Sequence, residues 1–446
     1  MRLTSLNQSF QADRMARSPL WRHRDFLLLW GGQAVSDVGS AVTLVAVPLI
    51  ALIVLHATTL EVALLSAAGS AAFLFVALQA GAVVDRRRKR PVLVGADLAR
   101  AAVLASIPLA QLFGVLTLAQ LFAVSLAASV LTVFFDVTYQ SYLPVVVGPD
   151  QLVDGNGKLA STGAFAQFAG PSIGGLLVGA FGAAYAVVVD VGSFLLGAAA
   201  NARIRAQEAE PAARPAGTRM RDDIREGMGY VLHHPVLSRI TGCTGTSNFA
   251  SGMLGAVEAV YVVRTLHASP LVFGAVLSLG ALGSLAGAAS GAWLARRVGS
   301  ARIIWLSMAA TGPLSFVMVL ATPGAGVLLV SVSYAASSLC GVVYNTSQVS
   351  YRQAICPPPL MGRMNASIRF LVWGSIPIGA AVGGVLASLT TVRTTVAVSA
   401  VITWAATLWV VRSPLFGMRD VPTLEEEVAA GRGVTETVPA ATALLV

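Results

Sequence analysis

The chain has 446 residues, about two or three times a usual domain length. It is 56% hydrophobic and 11% charged, against about 45–50% and about 25% in soluble domains; no soluble globule has interior enough for that, so the chain reads as an integral, all-α membrane protein. Its net charge of +9 sets 30 Lys and Arg against 21 Asp and Glu, and the basic residues sit almost wholly in the gaps between apolar stretches, a topology signal rather than a nucleic-acid-binding face.

A helix crosses the hydrocarbon core with about 20 apolar residues. After residues 1–18, expected to be a disordered tail, twelve apolar stretches follow: 26–55, 62–84, 91–113, 117–137, 159–182, 185–203, 237–263, 271–295, 301–322, 325–349, 364–388 and 394–411. The first is too long for a signal-peptide core. The stretches group as six-helix bundles over 19–203 and 237–412. Between them, 204–236 is the longest polar connection, where Met220, Ile224, Met228, Val231 and Leu232 recur at helical spacing. That pattern predicts an amphipathic helix on the membrane surface. Residues 413–446, with Glu425, Glu426 and Glu427, read as a second disordered tail.

Alternate loops differ in basic residues. Arg22, Arg24, Arg86–Arg90, the group from Arg203 to Arg225, Arg296, Arg297, Arg302, Arg352 and Arg363 fall on one side; little beyond Arg264 and Arg393 falls on the other. Positive residues stay inside, so both termini are expected in the cytoplasm. Cys243, Cys340 and Cys356 make an odd count without metal-ligand spacing, which implies neither a disulfide framework nor a zinc site.

Offsets of 209–210 residues superimpose the halves. Gly81 and Arg86 fall on Gly291 and Arg296, Asp136 on Asn345, Asn156 on Asn365, and Gly174-Gly175 on Gly383-Gly384. Several coincidences at one offset predict duplicated six-helix halves, the architecture in which a site lies near mid-membrane between repeats.

With these residues in view, the chain resembles the major facilitator superfamily over about 20–412. Gly81-Ala-Val-Val-Asp85-Arg86-Arg-Arg-Lys89-Arg90 is similar to its signature loop after the second span, although Arg88 replaces the usual Gly. Ala166-x-x-x-Gly170-Pro171-x-x-Gly174-Gly175 is similar to its antiporter motif, with Ala166 in place of the first Gly. Trp21–Phe26, Asp97-Leu-Ala-Arg100, Phe134-Phe-Asp136, Leu143-Pro144, Asp190-Val-Gly-Ser-Phe194 and Ile224–Tyr230 resemble the branch of macrolide-efflux pumps and enterobactin exporters. That branch's drug–proton antiport is what the resemblance implies, although the fourth span lacks the membrane arginine that related antiporters use.

The resemblance also implies that Asp85 caps a helix start, as a carboxylate can at free N–H groups and the dipole, and that Arg86 pairs with Asp136 in a conformational latch. Lys89 and Arg90 complete that loop and also fix topology. In the antiporter motif Pro171 removes a backbone hydrogen bond, while Gly170, Gly174 and Gly175 allow close helix approach.

Ionisable residues inside the membrane are expensive and kept for a reason. Asp37 lies near the middle of the first span and is the first candidate for proton coupling; Glu258, near the outer end of the seventh, is the second. Asp97 and Arg100, three residues apart, can pair on one helix face. That pair and Asp190 read foremost as structural. Gln33, Asp37, Asn248, Tyr334, Tyr344, Asn345, Gln348, Arg369 and Trp373 are candidates for lining a large, mainly apolar substrate cavity.

No Walker loop, nucleophile triad or metal-ligand cluster appears in the sequence. The expectation is a monomeric secondary exporter of a lipophilic drug, antibiotic or siderophore-like metabolite. It would exchange cargo for protons by alternating access in the cytoplasmic membrane, with no cofactor. Import or facilitated diffusion of a small metabolite is the second transport reading, and a transport-inactive sensor or a membrane enzyme the reading from another class.

Overall fold

In lipid an apolar stretch must satisfy its own backbone hydrogen bonds, which leaves the helix as the local solution. The computed structural model describes residues 19–84, 87–147, 151–206, 208, 228–356 and 361–422. Its long helices are α1 (Arg24–Leu49), α2 (Thr59–Phe75), α3 (Ala77–Val84), α4 (Lys89–Leu112), α5 (Leu118–Val147), α6 (Leu152–Phe181) and α7 (Ala183–Ala202). The series continues with α8 (Leu237–Val260), α9 (Pro270–Val298), α10 (Arg302–Phe316), α11 (Val327–Ile355), α12 (Met361–Leu389) and α13 (Val392–Val411). Ten segments are each long and apolar enough to cross a membrane. The other two crossings are α8, diluted by its Ser, Thr and Asn residues, and α2 with α3, which are separated only at Val76. Among the described residues the fold is thus an all-α, twelve-crossing membrane architecture.

The fourth and tenth stretches run longer than their hydropathy predicts. α5 continues ten residues past 137 and α11 six past 349. Polar residues such as Gln140, Ser141, Ser350 and Arg352 end an apolar run without ending a helix, because outside the hydrocarbon a helix tolerates them. Asp136 is therefore not a helix end.

Likewise 413–446 is not tail from its first residue. Ser413 caps a short 3₁₀ turn, Pro414–Gly417, Leu415 is wholly buried, and the Arg419 carbonyl accepts from the Ala301 N–H at 3.0 Å. The apolar Leu415 anchors this segment where composition alone suggested disorder. The rest of that tail, residues 1–18 and most of the expected amphipathic helix lie outside the described residues; of the last, 228–233 is helical.

By packing, the chain divides into a first unit, Met1–Arg214 with Val262–Ser278, and a second, Pro215–Tyr261 with Leu279–Val446. Within the first, α1 packs on α6 and α7, and α4 on α5 and α7; within the second, α8 packs on α12 and α13, and α10 on α11 and α13. The duplication extends to single contacts. Gly170 and Gly174 of α6 lie against Ala41 and Val42 of α1, while Gly379 and Gly383 of α12, each 209 residues later, lie against Phe249 and Met253 of α8.

The far ends of α1 and α8 repeat as well. Each passes into a π-helical turn, Ile50–Val54 and Tyr261–Thr265. Each then reaches a histidine at positive φ, His56 at 50° and His267 at 54°. Ala57 N–H donates to the Ala51 carbonyl and Ala268 N–H to that of Val262, the same bond 211 residues apart.

Candidate functional site

Asp37 falls two residues short of the middle of the Arg24–Val54 span. It is partly buried, accepts a hydrogen bond from Gln33 Nε2 at 2.7 Å on its own helix face, and lies beside Gly163 of α6. A Cβ at Gly163 would lie 3.7 Å from Asp37 Oδ2, at ordinary van der Waals contact. Tyr139 of α5, whose buried hydroxyl has no hydrogen-bond partner among the described residues, lies within electrostatic reach of Asp37.

Next to this site the first unit holds a dense buried polar cluster. Arg100, at the middle of α4, donates from a terminal nitrogen to Asp97 Oδ1 at 2.5 Å. The pair forms because residues three apart share a helix face. Asn201 of α7 donates to Asp97 Oδ2 at 3.0 Å. The guanidinium lies 4.1 Å from the ring centroids of both Phe135 on α5 and Phe194 on α7, a cation–π contact with each. Asp190, also on α7 and 1% exposed, accepts from Thr43 Oγ1 at 2.5 Å, Ser193 Oγ at 3.0 Å and Ser40 Oγ at 3.5 Å. Gly39 makes this possible: a Cβ there would lie 2.7 Å from Asp190 Oδ1. Sequence spacing shows the Asp97–Arg100 pair; it carries no sign of the two rings, which arrive from other helices.

The antiporter motif divides into two parts. Ala166 is buried, and Gly170 and Gly174 face α1 in a contact that the second unit repeats. Pro171 and Gly175 instead face the opening of α9, where Gly274 meets the Pro171 carbonyl and a Cβ on Gly175 would lie 2.5 Å from the Pro270 carbonyl. Ser172 N–H, directly after the proline, donates to Ser278 Oγ at 3.1 Å, and the two hydroxyls are 2.7 Å apart.

Of the latch, Asp85 and Arg86 lie outside the described residues, and Gly81 falls in α3. Asp136 lies within electrostatic reach of Arg100. Lys89 and Arg90 open α4, and the carboxylate at their backbone N–H groups is that of Glu208, at 2.5 and 2.9 Å. Arg90 also donates to the Ala202 carbonyl at 2.6 Å. The sequence reading missed Glu208. Its signal was indirect: α4 follows Arg88, which has no side-chain oxygen to serve as an N-cap, so an acceptor had to come from elsewhere.

In the second unit Glu258 is 9% exposed, and its Oε1 has no hydrogen-bond partner among the described residues. Tyr334 of α11 lies within its electrostatic reach and packs on Gly280 of α9. The other cavity candidates are mostly occupied with neighbours. Asn248 donates to the Val372 carbonyl at 3.0 Å, Tyr344 shares a 2.7 Å hydrogen bond with Thr244, and Gln348 donates to Asn345 at 3.0 Å. Arg369 lies 5.1 Å from the exposed Trp373 ring. No group of three or more His, Cys, Asp or Glu that could hold a metal occurs among the described residues.

A family model, transmembrane secretion effector, matches residues 15–434. The multidrug efflux pump Tap of Mycolicibacterium fortuitum is 27% identical over 375 residues, covering 81% of this chain and 88% of the pump. A bacterial homologue of the iron transporter ferroportin, solved inward-facing, superimposes with a TM-score of 0.71 at 16% identity, covering 87% of this chain and 98% of that one. The nucleoside transporter NupG superimposes at 0.68 with 12% identity, covering 88% and 99%. At such identities the two structures speak to the fold alone.

Proposed function

The chain belongs to this transmembrane secretion effector family of major facilitator transporters, and from that premise we propose that it exports a lipophilic or amphipathic small molecule in exchange for protons. The observation that carries export is the likeness to a multidrug efflux pump over four-fifths of the chain. Asp37 supplies a way to drive it. A mid-span carboxylate hydrogen-bonded, among the described residues, to Gln33 on its own helix can take up a proton from one side and release it to the other as access alternates. Glu258 is the second carboxylate of the cycle, and Asp85 and Arg86 of the loop after the second span form its latch with Asp136 of α5. The basic loops support a reading with both termini in the cytoplasm and the protein, as a monomer, in the cytoplasmic membrane.

The test is retention of ethidium and erythromycin in cells carrying the wild-type chain or Asp37→Asn, with and without a proton uncoupler. Wild-type cells should hold about tenfold less of at least one probe, a typical coupling effect, and either the uncoupler or the substitution should abolish the difference. Export that ignores the uncoupler would remove proton antiport; no export of either probe would remove the cargo class.

A further inference from the structure

Three sequence motifs that serve the export reading only as family resemblance converge on one buried point. Asp97-Leu-Ala-Arg100 brings the ion pair, Phe134-Phe-Asp136 brings the Phe135 ring, and Asp190-Val-Gly-Ser-Phe194 brings the Phe194 ring and the hydroxyl-held Asp190. Arg100 stands at the middle of α4, and Asp190 and Asp37 stand within three residues of the middle of their own spans. A purely structural role would give each charge one fixed partner. The cluster does not: four carboxylates, Asp97, Asp136, Asp190 and Asp37, share the field of one guanidinium, and Asp97 is the one hydrogen-bonded to it among the described residues.

The guanidinium is also incompletely engaged. Arg100 is 5% exposed, its Nε has no hydrogen-bond partner among the described residues, and Asn201 Oδ1 beside it has none either. The two rings beside it add no directed partner, since a ring face attracts the cation electrostatically but accepts no directed hydrogen bond. The Nε–H is therefore an open donor that a second acceptor can reach.

We propose that Arg100 is a shared counter-ion and Asp190 a second exchangeable proton site, so that the proton held at Asp190 decides whether the guanidinium closes on Asp97 or leans toward α7. This rests on the proton-antiport reading above and names a positioning residue and a proton carrier for it. The step is a proton transfer alone. A proton arriving at a carboxylate oxygen of Asp190 makes that group neutral, and Arg100 and Asp97 then neutralise each other. When the proton leaves, Asp190 becomes a competing anion in reach of the same cation, with Thr43, Ser40 and Ser193 already aimed at it.

The surrounding charged and titratable groups are few. α1 brings Asp37, α5 brings Asp136 and Tyr139, and α6 brings the Asp154–Lys158 pair of its opening turns; α4 and α7 contribute Asp97, Arg100 and Asp190 themselves. Phe135 also stacks on Tyr139, at 5.7 Å between centroids, and Tyr139 feels Asp37. One pair of stacked rings thus leads from the cluster to within electrostatic reach of Asp37.

The experiment uses the full chain in proteoliposomes and reads ethidium movement in two modes: uphill, driven by an imposed pH gradient, and downhill, with no gradient. Asp190→Asn should lower uphill transport by about tenfold or more, within the usual span of a coupling free energy, while keeping downhill movement and losing the pH dependence of its rate. Arg100→Gln should lose uphill transport too, and Arg100→Lys should restore part of it with a displaced pH profile. Wild-type uphill rate and pH profile in Asp190→Asn overturns the proposal, whatever the state of the arginine variants. If Arg100→Gln aggregates, Asp190→Asn decides alone. A wild-type chain with no gradient-driven mode overturns the antiport reading and this proposal together, whereas a gradient-driven wild type with unaffected variants overturns the shared counter-ion only.

Discussion

The two units bury their acids in opposite ways. In the first, Asp97 and Asp190 are enclosed by donors: a guanidinium and an amide for one, three hydroxyls for the other. In the second, Glu258 is 9% exposed and has an oxygen with no hydrogen-bond partner among the described residues. Duplication gave both units the same helix contacts, yet the polar cores diverged. What persists through the repeat is glycine-mediated packing, which lipid rewards equally in both halves; what differs is how charge is held, and charge is where a transporter does its work.

The contrast predicts unequal stability effects. Arg100→Ala leaves Asp97 buried without a counter-charge and should cost about 3–5 kcal/mol, as breaking one side of a buried pair does. Glu258→Gln removes no hydrogen bond seen among the described residues and should cost about 1 kcal/mol or less. Thermal unfolding of detergent-solubilised protein reads both. Equal losses in the two variants would break the contrast, because Glu258 would then have a partner as strong as that of Asp97.

Part of this was readable beforehand. The twelve crossings and the fold followed from the bilayer, which forces each apolar stretch into a helix of known length. The Asp97–Arg100 pair followed from helical spacing. The extension of α5 and α11 did not, because hydropathy marks where lipid ends and not where a helix ends. Nor did the docking of Leu415, the carboxylate of Glu208 at the start of α4, or the two rings at Arg100. Each is a tertiary event between residues that no short-range pattern connects: Phe135 and Phe194 lie 35 and 94 positions from Arg100. Tyr344 is set in packing that its span alone does not show. It was a cavity candidate by its span, but at 4% exposure it packs within an apolar cluster, its hydroxyl shared with Thr244.

A smaller effect sharpens the shared side of the comparison. Gly170 against Ala41 and Gly379 against Phe249 are the same contact made twice. Valine at either position forces the α1–α6 or α8–α12 pair apart, an overpacking cost of about 1–3 kcal/mol. The second unit should suffer more, because Gly379 faces the Phe249 backbone carbonyl whereas Gly170 faces a side-chain methyl. Paired unfolding measurements on Gly170→Val and Gly379→Val test the order. The reverse order would mean that the two units do not respond alike to the same wedge.

The smallest expected effect concerns the duplicated turns at the ends of α1 and α8. His56 and His267 are exposed and hold φ of 50° and 54°, a left-handed conformation that an L-residue adopts at a cost of about 1–2 kcal/mol. Glycine removes that cost but gives the unfolded chain more freedom to lose, which offsets most of the gain. His56→Gly and His267→Gly should therefore each stabilise by only about 0.5 kcal/mol, and by the same amount, since the π-helical turn and the Ala57 and Ala268 hydrogen bonds behind them are the same. A gain at one site and a loss at the other would show that one histidine side chain makes an interaction strong enough to outweigh its backbone strain. The two turns would then share a shape while differing in what holds it.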